Sequence, residues 1–366
     1  MLKAQLVGVC EGHSDRVWDA VWSKDGERLV SVSGDRSIRV WRRQARGAGA
    51  AAAASEKTFM ACEVCLTDAH EKTVRHCAFH PRDACFACAS FDGTVSVWDA
   101  AKRGAGAGAG GTWDWVVTAT LEGHENEVKG VAWSRNGDYL ATCGRDKTVW
   151  VWGVGGGVGE DREYDCLAVL RSHTQDVKCV WWSATDDVLF SASYDDTVRA
   201  WRAGNSGGDG SDDDWVCCDT LEGHGSTVWG GACAPAAVAG PGAAADELVT
   251  CSDDATVMFW SRRRGVAGAH WTADQVVAGA FDGRPVYSVA WSDDDRVACA
   301  AGDNSLKVYA RVKDTRRFDL MLDVEDAHAA DVNSVAWCPT LEADGSRLLA
   351  TAGDDELVKI WKVSRA

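Results

Sequence analysis

LEGHENEVKGVAWSRNGDYLATCGRDKTVWVW, residues 121–152, is the stretch that decides the fold. It holds a Gly-His pair, Gly123-His124, then Asp146, then Trp152 six residues beyond the aspartate. The frame returns along the chain. His13, Asp35 and Trp41, then His70, Asp92 and Trp98, then His173, Asp195 and Trp201 all repeat the His-to-Trp interval of 28 found for His124 and Trp152. His224, Asp254 and Trp260 stretch it to 36, and His328, Asp355 and Trp361 to 33. One further copy lacks the histidine, yet Asp303 still precedes Tyr309 by six. Recurrence of one frame seven times is the mark of a repeat architecture.

This frame is the WD-repeat signature, and seven copies predict an all-β, seven-bladed propeller. A blade is a four-stranded antiparallel sheet that cannot bury its faces alone, so it must stack on its neighbours. In such blades the histidine enters the innermost strand, the aspartate lies between the second and third strands, and a hydroxyl joins the histidine to the tryptophan indole. Four residues before each aspartate the hydroxyls are Ser31, Thr142, Ser191, Thr250 and Thr351, but copies two and six have Cys88 and Cys299. Five blades are therefore expected to complete the hydrogen-bond chain, in which loss of one buried partner costs roughly 1–3 kcal/mol. These residues read as structural, not catalytic. Alternation of Val17, Asp19 and Val21 with Trp18, Ala20 and Trp22 agrees with strands. Little chain follows Trp361, so Leu2 to Cys10 is expected to supply the last blade's outer strand, closing 1–366 into one domain.

A formal net charge of -17 argues against a nucleic-acid backbone as the main ligand. No apolar run approaches a membrane span, and the N-terminal residues lack the pattern of a signal peptide. A cytoplasmic protein is expected, with the nucleus open as a second location. Fifteen cysteines, an odd number scattered over strands, suit reduced thiols. The spacings Cys62/Cys65 and Cys85/Cys88 and the pair Cys217-Cys218 invite a metal site, but residues i and i+3 of a regular strand face opposite ways. Core thiols are expected, with no metal and no cofactor. Gly204 to Gly208 matches GxSxG in a Gly/Asp-rich loop rather than a strand-turn-helix elbow, and Asp209 to Asp214 lacks the ligand order of a calcium loop. No Gly-rich phosphate loop with a lysine occurs, and no enzyme is expected.

Low-complexity inserts at 45–54, 104–111, 153–159 and 203–214 all follow the Trp of a copy, on the face opposite the His and Asp turns. The face with the short turns is the better candidate for recognition. After the Val that follows each His, the chain presents Trp18, Arg75, Lys129, Lys178, Trp229, Tyr287 and Asn333. Before each structural Asp it presents Gly34, Phe91, Arg145, Tyr194, Asp253, Gly302 and Asp354. Arg75, Lys129, Arg145 and Lys178 thus gather near the pore mouth, interleaved with Phe91 and Tyr194. One reading makes them ordinary surface residues balanced by acids such as Glu127 and Asp176. The other makes them a docking face for a peptide bearing a carboxylate beside an aromatic or apolar residue.

The stretches TLEGHENEVKGVAW, LATCGRDKTVWVW, SHTQDVKCVWW, SASYDDTVRAW and DDWVCCDTLEGHGSTVW, within residues 120–229, resemble the WD-repeat subunit of the cytosolic iron-sulfur protein assembly targeting complex. The likeness reaches exposed turns, Glu125-Asn126-Glu127 and Arg145-Asp146-Lys147, and is weak around 235–285. It implies a non-catalytic adaptor. The implied partners are a small acidic assembly factor, a large helical-repeat scaffold, an iron-only hydrogenase-like cluster carrier and apo-proteins awaiting four-iron four-sulfur clusters. It also implies a functional role for Arg145, and a rim suited to client tails ending in an aromatic residue. Arg199-Ala200-Trp201-Arg202 departs from the Leu-Tyr-Arg type of cochaperone tripeptide. A ubiquitin-ligase substrate receptor or a histone-tail binder is the alternative. The latter calls for acidic pockets, where copies two to four offer cations.

Overall fold

The computed structural model describes residues 1–44, 59–82, 84–102, 113–156, 161–184, 188–204, 215–238, 247–265 and 268–366. The GxSxG match and the acidic run fall almost wholly at 205–214, outside the described residues, as do the inserts at 45–54 and 104–111. Of the insert at 153–159, Gly153 to Gly156 continue a strand.

The described strands make seven four-stranded antiparallel sheets arranged as a propeller. Strand β1 is Leu2–Cys10; blade 1 is β2 (Val17–Trp22), β3 (Arg28–Ser33), β4 (Ile38–Arg43) and β5 (Met60–Leu66). Blade 2 is β6 (Val74–Phe79), β7 (Cys85–Ser90), β8 (Val95–Lys102) and β9 (Trp113–Leu121). Blades 3 to 6 follow from Val128, Val177, Val228 and Val286, and blade 7 starts at Val332. Its fourth strand is β1, paired antiparallel with Val358–Arg365 from Leu2↔Arg365 to Cys10↔Val358. The expected closure by the N-terminal strand is therefore present.

The apolar core is divided into seven clusters, one per joint between neighbouring blades. Strand residues explain the division, since β7 sends Cys85, Ala87 and Ala89 towards blade 3 and Phe86 and Cys88 towards blade 1. Four joints carry an added latch. The indole N–H groups of Trp22, Trp133, Trp182 and Trp337 donate to the carbonyls of Ala336, Ala78, Ala132 and Ala290 in the preceding blade, at 3.1–3.2 Å. At the closing joint Asp19 accepts from Ser334 Oγ of blade 7 at 2.6 Å and from the Cys77 amide of blade 2 at 3.1 Å.

The Gly of the Gly-His pair has a steric cause in three copies. Gly12, Gly123 and Gly223 have φ of 150°, 152° and 159°, and a Cβ on Gly123 would lie 2.5 Å from the Trp150 ring.

Candidate functional site at the mouth of the central channel

Six blades hold the complete hydrogen-bond chain. In blade 1, His13 Nδ1 meets Asp35 at 3.0 Å, His13 Nε2 meets Ser31 Oγ at 2.8 Å, and the Trp41 indole donates to that oxygen at 2.8 Å. With Nδ1–H donating to the carboxylate, Nε2 accepts from the hydroxyl, and the hydroxyl accepts from the indole, so each proton has one place. The same links join His124 to Asp146, Thr142 and Trp152, and His173 to Asp195, Ser191 and Trp201. They also join His224 to Asp254, Thr250 and Trp260, and His328 to Asp355, Thr351 and Trp361. Burial pushes these carboxyls up, but hydrogen bonds from the imidazole and from nearby donors outweigh it, holding Asp146 and Asp355 down to about 2. Burial holds the His328 imidazole below its ordinary value.

Blade 2 corrects the expected count of five. His70 Nε2 and the Trp98 indole meet Ser96 Oγ at 2.7 and 2.9 Å, while His70 Nδ1 keeps Asp92 at 2.9 Å. Ser96 is the register partner of Cys88 on β8, so the hydroxyl reaches the same spot from the neighbouring strand. Blade 6 takes another route. Phe281 is buried, and Lys307 Nζ bonds Ser305 Oγ at 2.7 Å and Asp323 at 3.0 Å and lies 3.3 Å from Asp303. An ammonium there replaces the imidazole as the aspartate's partner, beside the buried Tyr309.

Every innermost strand carries a bulge immediately after its first Val, and the extra residue is Trp18, Arg75, Lys129, Lys178, Trp229, Tyr287 or Asn333. A bulge re-aims a side chain out of the pleat. It interrupts the strict alternation read from residues 17–22, where Val17, Asp19, Ala20 and Trp22 are all buried. Six of the seven bulge residues, all but Lys129, line a central channel of about 700 Å³.

Rings and cations alternate round this mouth. The Trp18 ring carries Arg75 at 4.6 Å and Arg16 at 5.3 Å. Lys178 Nζ lies 5.0 Å from the rings of both Tyr194 and Trp229, and Trp229 meets Tyr287 edge-on at 5.4 Å. Lys129 Nζ bonds Asp176 at 2.5 Å, with Lys178 Nζ 3.9 Å from the same carboxylate. Burial, then the neighbouring charges of Lys129 and Arg75, push the Lys178 ammonium down to about 8 against the pull of Asp176. Two lysines share one carboxylate with Arg75's charge nearby, a balance that favours an incoming anion.

The structure separates Arg145 and Phe91 from this group. Arg145 stands at the outer rim, its side chain 55% exposed and paired with Glu127 at 3.2 Å, and neither it nor Phe91 lines the channel. The pairings of Arg145 with Glu127 and Lys129 with Asp176 are those of the balanced-surface reading, whereas Arg75 and Lys178 lie against aromatic rings. The rim is also less uniformly basic than copies two to four suggest, because Asp253, Asp331 and Asp354 occupy the blade 5–7 side. Asp331 stands immediately before its Val, as Glu127 and Asp176 do, and that position is the sequence signal for it.

The cysteine geometry needs a correction too. β5 pairs Trp41↔Cys62, Val40↔Val64 and Arg39↔Cys65 with a bulge at Glu63, so Cys62 and Cys65 share the face of Trp41 and Arg39. Arg39 Nη1 lies 3.8 Å from Cys62 Sγ, yet burial pushes that thiol up. Cys85 and Cys88, on the unbulged β7, do face opposite joints. Among the described residues no group of three or more His, Cys, Asp or Glu side chains has a metal-holding arrangement.

The WD domain, G-beta repeat family matches residues 4–42, 62–99, 115–153, 164–202, 215–261, 275–310 and 321–362, one segment per copy. The chain is 40% identical to the probable cytosolic iron-sulfur protein assembly protein 1 of Vanderwaltozyma polyspora, over 98% of this chain and 99% of the relative. The chain belongs to the cytosolic iron-sulfur protein assembly protein 1 family. The Eremothecium gossypii member is 41% identical over 99% of each chain. A probable cytosolic Fe-S cluster assembly factor of Schizosaccharomyces japonicus is 40% identical over 98% of this chain, which spans 53% of that longer relative. Similarity over 98–99% of the chain includes the region around 235–285 where the motifs alone were weak.

Proposed function

We propose that this protein is a cytosolic, non-catalytic adaptor for iron-sulfur protein assembly, built as one propeller domain, that docks partner proteins on the channel mouth. The observation that carries the reading is that Arg75 lies against Trp18 and Lys178 against Tyr194 and Trp229, with Lys129 beside them on Asp176, on a chain whose full-length relatives are named for iron-sulfur protein assembly. Aromatic and cationic side chains that a partner covers on binding are the features from which interfaces draw most of their affinity. Candidate partners are the small acidic assembly factor, the helical-repeat scaffold, the hydrogenase-like carrier and apo-protein clients. In this reading the mouth supplies the carboxylate-binding part of the contact, Arg145 extends it at the rim, and Phe91 and Tyr287 add apolar surface. The His, Asp and Trp residues of six blades, with Lys307, Asp303 and Tyr309 in blade 6, keep the mouth rigid, and the cysteines are not ligands.

The test is an affinity pulldown from native cytosol with wild-type protein, Arg145→Glu and Lys178→Glu, partners identified by mass spectrometry. Iron-sulfur assembly factors and clients should be captured by the wild type and depleted in the variants. Arg145→Glu should leave the melting temperature within about 2 °C of wild type, since an exposed substitution changes stability by about 0.5 kcal/mol or less. His124→Ala should lower it clearly. Equal destabilisation by Arg145→Glu and His124→Ala would remove the basis for giving Arg145 a recognition role, and capture of ligase or chromatin proteins alone would replace the functional reading.

A further inference from the structure

The bulge residues at the mouth change character halfway round the ring. On blades 2–4 they are the cations Arg75, Lys129 and Lys178. On blades 5–7 they are Trp229, Tyr287 and Asn333, and each is tied to its own aspartate. The Trp229 indole donates to Asp253 at 3.4 Å, the Tyr287 hydroxyl to Asp331 at 3.1 Å, and Asn333 Nδ2 to Asp354 at 2.7 Å. Exposed arginines partly answer two of these acids, Arg284 lying 3.6 Å from Asp331 and Arg16 3.6 Å from Asp354. Asp253 has no ion-pair partner among the described residues.

Trp229 is the divide between the two signs. Lys178 Nζ stands 5.0 Å from its ring centre, while its Nε1 points to Asp253. One indole therefore separates a crowded cationic site from an acidic one. Blade 6 opens the acidic side further, because the turn position filled by Phe91, Arg145 or Tyr194 elsewhere is Gly302. A Cβ there would lie 3.3 Å from both Asp331 Oδ2 and Tyr287 Cε2, so the missing side chain leaves the tyrosine ring and the carboxylate uncovered.

We propose that the mouth binds an extended segment of a partner protein that carries an acidic group and, two residues away, a lysine or arginine. The acidic group lies against Lys178 and Arg75. The basic side chain crosses Trp229 and rests over Tyr287 between Asp253 and Asp331, held by the ring face and the two carboxylates. An extended chain advances ~3.3 Å per residue, so side chains two apart on one face stand ~7 Å apart, a span that one indole bridges. Nucleic acid is a poor occupant because its phosphates would meet Asp253, Asp331 and Asp354. This proposal rests on the adaptor reading and adds the second sign that the partner must bear.

The experiment uses the full-length chain and an array of nine-residue peptides in a Gly/Ser/Leu/Phe background. The peptides carry Asp and Lys at spacings of one to three, Asp alone, Lys alone, or neither, and the strongest of each class is measured by fluorescence anisotropy. Asp–Lys peptides should bind about 5- to 10-fold tighter than their Asp-only partners, the size of one cation–π contact backed by a carboxylate. Asp253→Asn should cut that advantage to below about 2-fold while leaving Asp-only peptides unchanged. Lys178→Met should instead abolish the advantage of Asp over Ala. If Asp-only peptides bind through Lys178 but lysine adds nothing, the two-signed proposal is overturned and the adaptor face stands. If no class binds above the neutral peptides, both are overturned.

Discussion

Replacing Ser96 by alanine should damage blade 2 as severely as loss of the standard hydroxyl damages any other blade. Ser96 Oγ holds two buried partners, His70 Nε2 at 2.7 Å and the Trp98 indole at 2.9 Å. Each partner left without a hydrogen bond costs about 1–3 kcal/mol, so Ser96→Ala should cost about 2–6 kcal/mol. Cys88→Ala, at the position where other blades keep their hydroxyl, removes one buried heavy atom and should cost only about 1 kcal/mol. The register pairing of Cys88 with Ser96 offers a rescue. In the double variant Cys88→Ser/Ser96→Ala the hydroxyl returns to the strand used in blade 1, and most of the lost stability should return with it. Urea unfolding at constant slope, with Ser191→Ala as the reference from blade 4, provides the measurement. A cost below about 1 kcal/mol for Ser96→Ala, or equal costs for Ser96→Ala and Cys88→Ala, would refute the argument that Ser96 took over the role.

In blade 6, Lys307→Met should destabilise by about 3 kcal/mol or more, because Asp303 stays buried without its ammonium, and Lys307→Met/Asp303→Asn should restore part of that in the same urea assay. With the Lys178 ammonium pushed down to about 8, affinity for an Asp-bearing peptide should hold at pH 6–7 and fall as pH rises past 8; titration of Lys178→Arg, which stays charged, should be flat over that range. The sign for folding is opposite. A lysine whose folded value is depressed weakens the fold while charged, and this weakening is relieved as pH rises from about 8 towards the unfolded value. Asp146 and Asp355, held down to about 2, contribute stability that is complete above the unfolded carboxyl value and lost as pH falls towards 2; Asp146→Asn should therefore flatten the acid limb of the urea midpoint against pH.

The frame of the propeller was legible because its determinants are local. A His, an Asp and a Trp at set intervals on adjacent strands carry their spacing in the chain, and the β1 closure follows from a blade that is one strand short. The mouth was half legible. Each bulge residue can be named by its place after a Val, but whether Lys178 pairs with an acid or stacks on Trp229 depends on blades distant in sequence. Ser96 escaped notice because a residue on the neighbouring strand replaced the usual one, and no interval within the repeat records that exchange. A regular strand would put Cys62 and Cys65 on opposite faces. One extra residue, Glu63, reverses the result. The acidic side is not legible residue by residue, because the sign of a surface is a sum over neighbours, and Asp253, Asp331 and Asp354 come together only across blades 5–7.

The pairing of β1 with Val358–Arg365 also sets a timetable. Cys10 meets Val358, so β1 waits for a partner made about 350 residues later. At 5–20 residues per second that wait lasts roughly 20–70 s, during which Leu2 to Cys10 is an unpaired strand beside a growing stack of blades. Such an edge can recruit any other free strand, including the same segment of a neighbouring nascent chain. The alternating Lys3 and Gln5 put polar groups on the face of β1 that stays exposed, which limits that hazard without blocking the final pairing. Closure thus joins the two strands most distant in sequence, the kind of contact whose loop-closure entropy slows folding.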